Sequence, residues 1–124
     1  MDKDLSKGLR PSKQAKGEIL FGTFEFREIV GDENVSVRRG VKWYNARGRY
    51  IAKPSDKKDK REQPIDIHQT EVYKFKDIPA KILYYEHQKD CETYDGLLKT
   101  MFTGYGATFS EEEYVTVVWF RLVT

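Results

Sequence analysis

Tyr114-Val115-Thr116-Val117-Val118-Trp119-Phe120-Arg121-Leu122-Val123 is the stretch on which the fold turns. β-Branched and aromatic residues fill it, and it is apolar at odd and even positions alike. A strand with one face in water alternates in polarity; a strand covered on both faces does not. This segment is therefore predicted to be a central strand, as in the closed interior of a small barrel. Just before it, Ser110 and Glu113 have the spacing of a capping box, and Glu111-Glu112-Glu113 reads as the acidic first turn of a helix. Further upstream, Tyr94, Leu97, Leu98 and Met101 fall at i, i+3, i+4 and i+7. That spacing predicts a helix, with Gly104 as its stop and Gly96 as a weak point inside it.

The rest of the chain supplies shorter pieces. Glu71 to Ile78 and Ala80 to His87 are both rich in strand formers, with Pro79 as a bend between them. Ile65 to His68, Tyr50 to Ala52, a segment at about 34–38 around Val35-Ser36-Val37, and Ile19 to Phe21 are predicted as short strands. Phe26, Ile29 and Val30 lie on one helical face, with Thr23 as a cap and Gly31 as a stop. The expectation is an α+β domain, a small barrel of about six strands with two or three short helices.

At 124 residues the chain is one ordinary domain. Aromatic residues at 14% argue against disorder. Residues 1–17 read as a basic, flexible N-terminal arm and 18–124 as the folded domain, with a basic loop at 53–64. No apolar run is long enough to span a membrane, and the N-terminus shows no secretory signal. The single cysteine, Cys91, fits a reducing compartment, so a cytoplasmic location is expected. His68, His87 and Cys91 are too few to build a metal site, and no phosphate-cradling glycine loop is present. Neither a metal nor a cofactor is expected.

Charge is uneven along the chain. Formal charge is +3 over residues 1–17, −4 over 18–37, +8 over 38–61 and −5 over 62–124. The first half of the basic block interleaves Arg38, Arg39, Lys42, Arg47 and Arg49 with Trp43, Tyr44 and Tyr50. Cations that bind phosphate beside aromatic faces that stack on bases suit a single strand or a flipped nucleotide. The same residues could equally form a hairpin turn with its aromatics in the core and its arginines in water. Residues 53–64 contain no apolar side chain and read as a solvated loop.

The order of these pieces resembles the ASCH domain family of PUA-like barrels. The likeness begins with a helix ending in Ile29-Val30-Gly31, followed by Asp32-Glu33-Asn34-Val35-Ser36-Val37-Arg38-Arg39-Gly40. It continues through Val72 to Ile78, the helix with Leu97 and Leu98, Gly104-Tyr105 and the strand from Glu113 to Val123, so it covers roughly residues 19–123. The resemblance implies a cleft beside the signature strand that binds RNA or a modified nucleoside. One branch, the acetylcytidine amidohydrolases, uses a threonine, a lysine that activates it and a distal glutamate. Those positions fall here on Ser36, on Glu33 and near Thr103. A hydroxyl is kept, but a cation has become an anion and the acid is missing. Ser36 is then the one catalytic candidate, and the expectation is a nucleotide-binding cleft without the hydrolytic reaction.

Nucleic acid, most simply RNA, is thus the expected partner. Arg38 is the foremost contact, with Arg39, Lys42, Trp43, Tyr44, Arg47 and Arg49 around it. About four phosphate contacts on a single strand would give a slope of roughly −3 in log affinity against log salt. The alternatives are an enzyme processing a nucleoside or RNA through Ser36, and a viral or mobile-element factor whose polarised surface docks on a protein.

Overall fold

The computed structural model describes residues 15–27 and 33–123. Five strands form one sheet: β1 (Glu18–Phe21), β2 (Glu33–Arg39), β3 (Gly48–Pro54), β4 (Gln63–Lys74) and β5 (Tyr114–Leu122), in the order β1-β3-β4-β5-β2. The β1–β3 pair is parallel and the others are antiparallel. Two α-helices, α1 (Ala80–Leu83) and α2 (Tyr94–Tyr105), complete the α+β fold.

β5 lies between β4 and β2, and its residues are buried on both faces. Val118 and Phe120 join one core with Ile19, Phe21, Ala52, Ile65 and Ile67. Val115 and Val117 join the other, with Val35, Val37, Phe75, Leu83, Leu97 and Met101. Each such side chain contributes about 1.5–3 kcal/mol by leaving water, which is why the apolar run occupies the middle of the sheet. The sheet is not closed, however. β1 and β2 are its two edges, and they share no ladder.

The helix expected from Thr23 does not form over residues 23–27; residues 28–32, including Ile29, Val30 and Gly31, lie outside the described residues. Tertiary partners hold this segment in an irregular, non-helical path. The Phe26 ring sits 5.2 Å from that of Phe21 and 5.9 Å from that of Phe120. The Glu25 carbonyl accepts a bond from His87 Nδ1 at 2.8 Å. A second correction concerns Ala80 to His87, which is not a strand. Ile78, Ile82 and Leu83 are buried in one core at helical spacing, so Pro79 opens α1 instead. Beyond α1, an isolated parallel bridge between Val35 and Glu86 ties the chain back to the sheet.

The α2 helix begins at Thr93, whose hydroxyl accepts the Gly96 N–H at 3.1 Å. It runs through Gly104 and ends at Gly106, whose φ of 75° favours glycine. Gly96 has a packing role: a Cβ there would lie 1.8 Å from the Asp90 carbonyl oxygen. Before β5, the Ser110 hydroxyl accepts the Glu112 N–H at 3.1 Å and the Glu113 carboxylate accepts the Ser110 N–H at 3.0 Å. These capping bonds close a turn rather than open a helix.

Most of residues 1–17 lie outside the described residues, but the Lys16 N–H bonds the Arg49 carbonyl and the Ile51 N–H bonds that of Gly17. The end of the expected arm therefore already runs beside β3. Lys53 and Pro54 belong to β3, and Gln63 and Pro64 to β4. The loop between them is exposed and bent by Asp56 and Asp59, whose carboxylates accept the N–H groups of Lys58 and Arg61.

Candidate functional site

Where β1 ends at Phe21 and the edge strand β2 reaches Arg38, the two edges of the sheet approach without pairing. The gap is a cleft of about 310 Å³, walled by Phe21, Ser36, Arg38, Glu86, Thr100 and Tyr105 among others. Strand periodicity puts Ser36 and Arg38 on one face of β2, while Val35 and Val37 point into the opposite core.

Ser36 is buried, and its Oγ accepts the Arg38 Nε–H at 2.9 Å. The Arg38 guanidinium lies 4.5 Å from the Phe21 ring centroid and 5.9 Å from that of Trp43. Burial pulls its pKa down to about 10, with Tyr105 and Glu86 acting in the opposite sense, so it is cationic at neutral pH. Among the described residues its terminal nitrogens make no hydrogen bond.

Glu86 and His87 form the facing wall. Since β2 is an edge strand, the N–H and C=O of Val35 are taken by the Tyr85 carbonyl and the His87 N–H, at 2.8 and 2.9 Å. The Glu86 carboxyl continues this ladder by accepting the Val37 N–H, and it also accepts the Gln88 N–H at 3.2 Å. Burial pushes Glu86 up to about 8, against the pull of those N–H groups and of Arg38. Burial likewise pulls His87 down to about 4. At neutral pH both groups are thus uncharged. His87 donates from Nδ1 to the Glu25 carbonyl, and its Nε2 lies 3.3 Å from Glu86 Oε1. Cys91, also in the cleft wall, is a buried thiol raised to about 11 by burial, and so not a thiolate. Arg38 is left as the formal charge among these groups.

The other expected contacts are placed elsewhere. Arg39, next in β2, points to the opposite face and binds Glu113 through two bonds of 2.6 and 2.8 Å. Arg47 braces the loop after β2, donating to the carbonyls of Tyr44 and Ala46 and to Thr70 Oγ1. Arg49 pairs with Asp66 at 3.2 Å. Trp43 packs edge-on against Tyr50 and the core, and Lys42 lies over its ring. Tyr44 is exposed. The structure brings Ser36 and Arg38 together in the cleft with Trp43 behind them, and holds Arg47 and Arg49 apart from it.

Glu33 does not enter the cleft. Its carboxylate binds Arg121 at 2.5 Å and His68 at 2.7 Å. With Asp66 opposite Arg121, and Arg49 paired to Asp66, charges alternate in sign across β2, β5, β4 and β3. Nor does Thr103 line the cleft; its hydroxyl donates to the Lys99 carbonyl. The glutamate that does line it is Glu86. Sequence reasoning missed Glu86, His87 and Tyr105 as wall residues because contacts far apart in the chain place them there. Among the described residues no cluster of three or more metal-ligating side chains occurs.

Compared with known proteins, the chain matches no family model, no curated protein and no solved structure.

Proposed function

We propose that the chain binds a nucleotide, either free and modified or exposed in RNA, in the cleft between β1, β2 and α2, as a PUA-like domain of the ASCH type. The observation that carries this reading is Arg38. A half-buried guanidinium at the cleft wall whose terminal N–H groups meet no protein acceptor among the described residues leaves its hydrogen-bonding capacity open to a ligand. Its fork suits a phosphate or the acceptor edge of a base. Phe21 and Tyr105 supply aromatic walls. The cleft's size is at the low end of the roughly 300–1,000 Å³ range of ligand pockets, room for one nucleotide rather than a strand.

Binding without turnover fits the wall chemistry. Ser36 Oγ receives a hydrogen bond from Arg38, and among the described residues no base accepts its own proton. N4-acetylcytidine incubated with the protein should therefore remain acetylated.

Calorimetric titration with nucleoside monophosphates and short single-stranded RNAs tests the proposal. Saturable binding is expected, weakened roughly 10- to 150-fold in Arg38→Ala, the range for hydrogen bonds to a charged group. With Arg47 and Arg49 engaged elsewhere, one phosphate contact is expected, and a salt slope of about −0.7 rather than −3. Absence of binding to any of these ligands, or an Arg38→Ala variant that binds equally well, would overturn the proposal.

A further inference from the structure

Two aromatic side chains near the C-terminal end of α2 stay part-exposed although both rings meet buried Phe109: Phe102 at 42% and Tyr105 at 41%. Tyr105 is also a wall of the cleft. Its ring is near-parallel to that of buried Phe109, at 6.3 Å and 28°. The Arg39 guanidinium lies 5.4 Å from the Tyr105 centroid and 5.8 Å from that of Phe109. Arg39 is itself fixed by Glu113 and by the Thr108 carbonyl at 3.1 Å. Phe102 meets Phe109 edge-on at 5.9 Å.

We infer that Tyr105 is a second nucleobase subsite, so that the site takes two adjacent nucleotides of a single strand, one in the cleft and the next stacked on this ring. The inference rests on the reading of the cleft as a nucleotide site. Continuity selects the occupant: Tyr105 borders the cleft, and a strand whose one nucleotide fills a pocket of this size must leave past its walls. An aromatic platform steadied by contacts with Phe109 and Arg39 loses little conformational freedom on stacking. Arg39 then acts by steadying the ring, its guanidinium being engaged by Glu113, and not as a phosphate contact.

Ribonucleoside monophosphates and the matching ribodinucleotides, titrated into the full chain, test this. Stacking on an aromatic ring strengthens binding by roughly 5- to 150-fold per base, and the dinucleotide should gain by that factor over the monophosphate. The gain should persist in Tyr105→Trp and shrink to less than about twofold in Tyr105→Leu, since any aromatic ring stacks and leucine does not. A dinucleotide that binds no tighter than the monophosphate would overturn the subsite while leaving the cleft reading intact, and so would a gain that survives Tyr105→Leu. If the dinucleotide shows no gain and the chain instead self-associates through Tyr105, the platform is a protein contact and the inference fails. No binding of either probe would remove the cleft reading and this subsite with it.

Discussion

Two hollows of the molecule differ in how their polar atoms are partnered. The larger, about 840 Å³, lies beside α1 and is lined by Tyr73, Pro79, Tyr84, Tyr85 and Trp119. Its carboxylate, Glu71, accepts the Trp119 indole N–H at 2.8 Å and the Tyr73 hydroxyl at 3.3 Å. Tyr85 packs against both Tyr84 and Trp119. The smaller cleft, at the seam between β1 and β2, holds the Arg38 guanidinium beside a wall formed by Glu86 and His87, both uncharged at neutral pH. Among the described residues the terminal N–H groups of that guanidinium have no acceptor. Volume favours the first hollow. Unmet hydrogen-bonding capacity around a half-buried charge favours the second, because a partly desolvated guanidinium gains from an acceptor that replaces the water it has lost.

The largest expected effect breaks the tie between the hollows directly. Tyr84→Ala should leave nucleotide affinity within about twofold of the parent, whereas Arg38→Ala should lower it roughly 10- to 150-fold. Equal losses in calorimetric titrations of the two variants would erase the distinction.

Next comes Gly96→Ala, which acts on the cleft side alone. The new Cβ would meet the Asp90 carbonyl at 1.8 Å, forcing the turn Lys89–Cys91 away from α2. Cys91 and Leu97, on either side of that contact, both wall the cleft. A loss of about 2–3 kcal/mol is expected in denaturant unfolding, the upper part of the overpacking range. An unchanged midpoint would show that the turn yields freely.

A smaller effect concerns pH. Glu86, raised to about 8 in the folded state, binds a proton that the unfolded chain has lost above about 4.5, so its contribution fades as pH rises toward 8. His87, lowered to about 4, is neutral when folded but protonated when unfolded below about 6.5, so its contribution fades as pH falls. The two slopes oppose each other between about 4.5 and 6.5, and Glu86 acts alone from there to 8. Stability should fall by about 2 kcal/mol across that window, which is roughly 6–10 °C in Tm for a chain of this length. In Glu86→Gln the decline should vanish. A melting temperature flat from pH 6.5 to 8 in the parent protein would refute the neutral Glu86–His87 pair.

How far the sequence was legible depends on whether a segment's signal was local. Leu97, Leu98 and Met101 marked α2 because helical spacing is internal to the segment, and the strands around Ile19, Val35, Ile51 and Ile65 were legible for the same reason. Phe26 misled, because its neighbours in space, Phe21, Phe120 and His87, reward a non-helical path that no local pattern records. Ala80 to His87 misled in the other direction: strand-forming residues close a short helix once Ile78 and Ile82 face one core. In the site, Ser36 and Arg38 were legible as cleft residues through the resemblance of their strand. Arg47 and Arg49 were not separable from Arg38, since Thr70 and Asp66, which engage them, belong to β4.

From the amino-acid order alone came the α+β class and the central place of Tyr114–Leu122, because a doubly covered strand carries apolar residues at odd and even positions alike. The tertiary structure alone decided which arginine faces the cleft without a carboxylate partner among the described residues, and which carboxyl stays protonated. Pairing and desolvation depend on atoms brought together from β1, β2, the Glu86–Gln88 segment and α2, and linear order does not contain those distances.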